Sequence, residues 1–276
     1  MSDGEADRWL LDPRAGRHVF LSPHFDDVAF SCGGTVARLA AAGRRPLIVV
    51  VFATAPLTAA ELTPFAREHD RLWALGEDPA TSNAGRHAEE LVAAACLGAE
   101  LSTLAFLDAI YRGRRYIGND QLFGAVHPDE GDLPTALVAS ARAAAESGLV
   151  RWHVPLATGH HVDHQLVFLA GAALARAGED VWCYEDLPYS LSPELLSDRK
   201  SEVARSLGES QTVAVDEVWE ARIDGVMAHR SQLPSAFGYV GVAPSRPAIT
   251  TALDRFARGN PDDGTRRERF WALRIE

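Results

Sequence analysis

Cysteine is scarce. Cys32, Cys96 and Cys183 are the only three in 276 residues, odd in number and widely spaced. This excludes a disulfide framework and a cysteine-built zinc site, and the expected compartment is a reducing cytoplasm. Basic charge is also short: 27 Lys plus Arg stand against 38 Asp plus Glu, a formal net charge of −11. Such a balance argues against gripping nucleic-acid phosphates or an anionic membrane surface. Long apolar runs are missing too. The most apolar stretch, "PLIVVVFATAP" from Pro46 to Pro56, is far too short to span a bilayer and reads as a buried parallel strand. The opening "MSDGEADRW" lacks the basic and apolar regions of a signal peptide.

What remains is the composition of an ordinary globular enzyme or binding domain. With 47% hydrophobic and 24% charged residues, the chain can bury a large core without covalent staples. Strand signals fall at Arg17–Leu21, Pro46–Ala53, "STLAFL" (102–107), "LVRWHVPL" (149–156), "DVWCYEDL" (180–187), "QTVAV" (211–215) and "RFWALRI" (269–275). Helix signals fall between them. One runs from Asp26 to a stop at Gly43 with the Gly33–Gly34 pair as its weak point, and others cover 65–76, 86–97, 134–147, 162–177 and 216–230. Alternation of this kind predicts an α/β fold with an open, mostly parallel sheet flanked by helices. Residues 54–64, 109–132 and 231–248 read as loops, the second unusually long. Ligands in open α/β sheets bind beyond the carboxyl ends of the strands, where the first two of these loops begin.

Two clusters of histidine and aspartate occupy such strand ends. After the first strand comes "SPHFDDVAFSCGG", with His24 beside the adjacent carboxylates of Asp26 and Asp27. After the fourth comes "TGHHVDHQLVF", in which His161 and His164 share a face of an incipient helix and Asp163 lies between them. Adjacent carboxylates repel, and burying one unpaired is costly. A divalent cation resolves that conflict, and imidazole and carboxylate are ligands of both zinc and non-haem iron. The two clusters are therefore expected to form one site.

"SPHFDD" and "HVDH" together resemble the paired motifs of the PIG-L or LmbE-like family of zinc-dependent N-acetyl-sugar deacetylases and related amidases. That family shows His-Pro-Asp-Asp near the N-terminus and His-x-Asp-His in the middle, each after a strand of a Rossmann-like sheet. "RHAEELVAAACLGAE", "LAFLDAIYRG", "YEDLPY" and "HRSQ" resemble further segments of its sugar-modifying branch. The match in motif placement covers roughly residues 17–190, and residues 191–276 are expected to complete the fold and pocket of a single domain spanning 1–276. The resemblance implies metal ligands at His24, Asp27 and His164. It implies that Asp26 is the general base, that His161 assists the oxyanion or leaving amine, and that Asp163 orients His161 and keeps it cationic. Arg86 and Asp108 match positions that recognise the sugar.

The resemblance thus implies hydrolysis of an N-acyl, typically N-acetyl, group on an amino sugar carried by a glycosylated natural product. Zinc is the expected cofactor, with Fe²⁺ or another divalent metal as alternatives. The expected partner is the small-molecule substrate, with neither nucleic acid nor membrane. An amidase of the same family acting on a sugar-thiol conjugate, an iron enzyme using oxygen, and a non-catalytic sugar-binding module are the rival readings. Retention of both Asp26 and His161 counts against the last. Three positions depart from the family pattern. Phe25 replaces the usual proline, Val28 stands where many members have glutamate, and Gly159 stands where some have a tyrosine. Any tyrosine role must come from another segment. His160 has no assigned role. Arg112, Arg114 and Arg115 read as a solvated face, Trp73, Trp152, Trp182 and Tyr189 as core packing, and Cys32 and Cys183 as small buried hydrophobes.

Overall fold

The computed structural model describes residues 8–57, 60, 62–76, 78–146, 148–259 and 264–275. Seven strands form one sheet: β1 (Arg17–Ser22), β2 (Leu47–Val50), β3 (Glu100–Thr103), β4 (Val150–Pro155), β5 (Asp180–Tyr184), β6 (Leu207–Ala214) and β7 (Arg267–Leu273). Their spatial order is β3-β2-β1-β4-β5-β7-β6. Strands β1 to β5 pair in parallel, and β7 runs antiparallel to both β5 and β6. The expected α/β class and mostly parallel sheet are present.

Period-two alternation along the strands feeds a core on each face of the sheet. Phe20, Ile48, Val50, Tyr184 and Phe270 pack under α1 (Asp27–Ala41) on one face. Val19, Leu21, Val49, Trp152 and Val154 pack under helices Leu133–Ala145 and Val162–Arg176 on the other. Trp152, Trp182, Cys32 and Cys183 belong to these cores, as expected.

The helices after α1 are α2 (Pro64–Trp73), α3 (Pro79–Leu97), α4 (Leu133–Ala145), α5 (Val162–Arg176), α6 (Pro193–Glu202), α7 (Trp219–Ala228), α8 (Leu233–Tyr239) and α9 (Arg246–Arg258). Helix α3 begins seven residues before the expected 86. Asp78 accepts from the Thr81 N–H at 2.9 Å, and Pro79 at the first helical position has no N–H to lose. The expected loop 231–248 contains α8, and the first turn of the expected helix 216–230 is a 3₁₀ turn at Asp216–Val218. Loop 109–132 is wound into 3₁₀ turns at Ala109–Tyr111 and Pro128–Glu130 and a one-turn helix at Asn119–Leu122.

Helix α1 breaks where the glycine pair marked it. Cys32 has φ −143° and ψ 25°, so the hydrogen-bond ladder is interrupted there. Glu268 of β7 accepts from Gly34 N at 2.9 Å, Thr35 N at 2.6 Å and the Thr35 hydroxyl at 2.7 Å. Arg222 of α7 donates to Glu268 at 2.6 Å and to the Phe30 carbonyl at 3.0 Å. A Cβ on Gly34 would lie 2.7 Å from Val215 and 2.8 Å from Glu268 Oε1, so only glycine admits this carboxylate.

Candidate active site

In the sheet order, the chain leaves β1 for β2 on one side and returns through β4 on the other. The crevice between the carboxyl ends of β1 and β4 is the topological switch point, where open α/β sheets bind ligands. Both His/Asp clusters meet there. Ser22, the last residue of β1, shapes the first loop by donating to the His24 carbonyl at 2.7 Å and accepting from Val28 N at 3.3 Å. Asp27 opens α1 and accepts from His24 N at 2.7 Å. His161 caps α5, its Nδ1 accepting from the Asp163 N–H at 3.2 Å.

Asp27 lies between two imidazoles. Its Oδ2 is 3.4 Å from His24 Nδ1 and its Oδ1 is 3.3 Å from His164 Nε2. Each imidazole then turns its other nitrogen to a further carboxylate: His24 Nε2 to Asp163 at 3.0 Å, and His164 Nδ1 to Asp186 at 2.7 Å. That is the carboxylate–histidine pattern that orients metal ligands. Asp27 thus turns one oxygen to each imidazole, and imidazole nitrogen and carboxylate oxygen are the donor types that divalent cations take. The donor set therefore fits a divalent cation. Nitrogens of His24, His161 and His164 also lie within 4.8 Å of one another. So do donors of His24, Asp108 and Asp163, but there the charges are already matched, Asp108 by Arg86 at 3.3 Å and Asp163 by Arg112 at 2.6 Å.

The electrostatics divide the residues by role. Burial works against charge on every group here, so each shift reports which neighbour prevails. Burial opposes protonation of His24, but Asp108, Asp163 and Asp27 outweigh it and hold the imidazole well above its ordinary value. His164 is raised to about 9 against burial by Asp27 and Asp186. Asp27 is held well below the carboxylate range, despite burial, by His164 and His24. Asp26 goes the other way: burial and the neighbouring Asp27 push it up to about 7. Its side chain does not cap α1 but lines the cavity. A carboxyl poised near neutrality has the pKa of an efficient proton carrier.

The site differs from expectation at several residues. The Asp163 carboxylate does not reach His161; it bonds His24 Nε2, the Ala109 N–H at 2.9 Å and Arg112. The reason is the cap: His161 takes the Asp163 backbone N–H, which leaves the side chain to point toward β1 and the long loop. Nor is His161 kept cationic, since burial and then the His24 charge hold it well below its ordinary value. With Nδ1 an acceptor, its proton sits on Nε2. Arg112 is buried rather than solvated, whereas Arg114 is exposed. Phe25 faces away from the cavity, 1% exposed, against the Arg86 guanidinium at 5.6 Å and His87 at 5.7 Å.

Arg86 and Asp108 do share the cavity with the clusters, paired at 3.3 Å, and Trp73, packed in a small core with Ala66 and Tyr111 as expected, also carries Arg86 over its ring at 4.1 Å. The cavity holds about 200 Å³. Phe123, Tyr189 and Tyr239, from three separate segments, form one wall, Phe123 and Tyr239 stacked at 5.6 Å. Gly159 has φ +84°, and a Cβ there would meet the Tyr189 ring at 2.9 Å. Tyr189 thus fills the space beside the position where the family pattern has its tyrosine. His160 is half-buried against Glu202 at 3.3 Å and takes no part. Asp186 went unassigned in the sequence, although two acids directly after a strand, "YED", were its signal.

An ionised carboxylate between two oriented imidazoles, with a near-neutral carboxyl beside it at a sheet's switch point, defines the class of metal-dependent hydrolases. The comparisons supply the family. The family described as "PIG-L: GlcNAc-PI de-N-acetylase" matches residues 19–175, and the chain belongs to it. It is 34% identical over 237 residues to a 2'-N-acetylparomamine deacetylase of Streptomyces fradiae, covering 83% of this chain and 78% of that one. It is 33% identical over 189 residues to a 2'-N-acetylparomamine deacetylase of Niallia circulans, covering 62% and 66%. Among solved structures, the zinc-inhibited form of teicoplanin deacetylase Orf2 superposes with a TM-score of 0.77 at 26% identity, over 93% of this chain and 97% of that one.

Proposed function

We propose that the protein is a zinc-dependent N-deacetylase acting on an amino sugar of a glycosylated natural product, and that an N-acetylated aminoglycoside precursor is the favoured substrate. The observation that carries this reading is geometric: Asp27 stands between two imidazoles, each held by a further carboxylate, with Asp26 buried beside it in the cavity lining. The similarity to two 2'-N-acetylparomamine deacetylases favours a pseudodisaccharide over a lipid-linked sugar. Three free cysteines and the absence, among the described residues, of a helix long and apolar enough to cross a membrane agree with a cytoplasmic enzyme. One catalytic domain spanning 1–276 is supported by β7 pairing with β5 and by α8 contributing Gln232 and Tyr239 at its ends to the cavity.

His24, Asp27 and His164 would hold the zinc, with Asp163 and Asp186 fixing the two imidazoles. Zinc supplies Lewis acidity at the amide carbonyl and lowers the pKa of the attacking water. Asp26 accepts the proton of that water as its oxygen bonds the carbonyl carbon, and passes it to the nitrogen as the C–N bond breaks. His161, protonated on Nε2, donates to the oxygen on which negative charge develops. The products are acetate and the free amine. Arg86 and Asp108 donate to and accept from sugar hydroxyls.

The test is incubation of the zinc-loaded enzyme with 2'-N-acetylparomamine, N-acetylglucosamine and an N-acyl glycopeptide, followed by mass spectrometry. Loss of acetyl from the first, faster than from the other two, is the expected result. No loss from any of them overturns the proposal.

A further inference from the structure

Besides the cavity wall at Phe123, the long loop sends a buried arginine to the site. Arg112, 9% exposed, closes the 3₁₀ turn Ala109–Tyr111, and each of its three guanidinium nitrogens has a partner. Nη2 pairs with Asp163 Oδ1 at 2.6 Å, Nε donates to Glu130 Oε1 at 2.8 Å, and Nη1 donates to the Leu107 carbonyl at 2.8 Å. The group lies over the rings of Phe52 at 5.0 Å and Tyr116 at 5.3 Å. Tyr116 in turn donates to Glu130 at 2.8 Å and accepts from His127 N at 2.9 Å, so both ends of the loop are tied to the same pair.

Asp163 is the other half of this device. Its Oδ1 faces Arg112, while its Oδ2 accepts from Ala109 N and meets His24 Nε2. A carboxylate held at both oxygens cannot rotate, so the imidazole it touches is fixed in plane. We propose that Arg112 is a positioning residue for the metal centre: through Asp163 it sets the orientation of His24, and so couples the folding of loop 109–132 to metal affinity. This rests on the metal reading given above, and on no assumption about substrate. Lysine cannot replace it, because one ammonium cannot span Asp163, Glu130 and a carbonyl at once.

The test is zinc affinity, measured by competition with a chromophoric chelator on the metal-free full-length protein. Arg112→Gln should weaken zinc about 10- to 100-fold, the cost of losing a partner that orients a ligand, and Arg112→Lys should recover only part of it. Tyr116→Phe, which loosens the loop at Glu130 but leaves Arg112 and Asp163 in place, should lower the melting temperature and weaken zinc less than Arg112→Gln does. In an Asp163→Asn background, Arg112→Gln should add no further loss, because its effect passes through Asp163. A folded Arg112→Gln with wild-type affinity overturns the proposal, as does a full extra loss in the Asp163→Asn background. Should Arg112→Gln fail to fold, a folded Arg112→Lys with wild-type affinity overturns it equally. A wild-type protein that binds no zinc overturns the metal reading and this inference together, whereas zinc binding without deacetylation overturns only the choice of substrate.

Discussion

Replacing Glu268 by alanine tests whether the break in α1 is held from outside. The buried carboxylate accepts from Gly34 N, Thr35 N, the Thr35 hydroxyl and Arg222 Nε. Its removal strands the Arg222 guanidinium, which is 1% exposed and is left, among the described residues, with the Phe30 carbonyl and the Trp219 ring. Losing one partner of a buried ion pair costs about 3–5 kcal/mol, and two unsatisfied backbone N–H groups push toward the top of that range. Against a total stability of about 5–15 kcal/mol, this is a large fraction. Arg222→Met should cost less, about 1–2 kcal/mol, because Glu268 retains three donors to stabilise its charge. Urea unfolding followed by circular dichroism measures both. If Glu268→Ala stays within about 1 kcal/mol of wild type, or if Arg222→Met costs as much, the account of the kink is wrong.

Other expectations concern the site and the core. Asp26→Asn should lower kcat about 10²- to 10⁴-fold with zinc content unchanged by elemental analysis; undiminished turnover would disprove the base. Asp186→Asn, which removes the 2.7 Å partner of His164 Nδ1, should weaken zinc about 10- to 100-fold in a chelator competition, and wild-type affinity would contradict it. His18, buried 3.0 Å from His153, is pushed by burial from 6.5 down to about 3. Below pH 6.5 the unfolded chain binds a proton that the folded chain refuses. The contribution is therefore complete above 6.5 and is lost by about 1.36 kcal/mol per pH unit as pH falls toward 3. His18→Gln should flatten that acid limb of stability, and an unaltered slope in urea titrations from pH 7.5 to 5 would refute the assignment.

The strands and the metal-type clusters were legible because each is written locally. Strand β1 ends at Ser22 and is followed at once by His24, Asp26 and Asp27, and β4 ends at Pro155 just ahead of His161. Parallel α/β topology then brings two strand ends together without further information. The partners of those residues were not legible. Which carboxylate serves which imidazole depends on a helix cap at His161, on three-dimensional reach from Asp186, and on a loop arginine that composition alone places in solvent. The antiparallel entry of β7 and the short helix α8 were also hidden, since periodicity marks an element but not its direction, and α8 is only seven residues long. The place of Phe25, which stands where the family has proline, was not legible either; the turn of the backbone sends it into the core.

The brace on α1 has a consequence for how much of the chain the chemistry needs. The family match ends at residue 175, yet the helix whose first turn carries Asp27, with Asp26 just before it, is propped from residue 268 and residue 222. The last strand thus braces a helix near the beginning of the chain. A fragment trimmed to the matched span would keep His24, Asp27 and His164 and lose the buttress of the helix that Asp27 opens. For the same reason, sequence drift in β7 and α7 can retune the reactive pair from a distance, with no change at any residue that touches substrate.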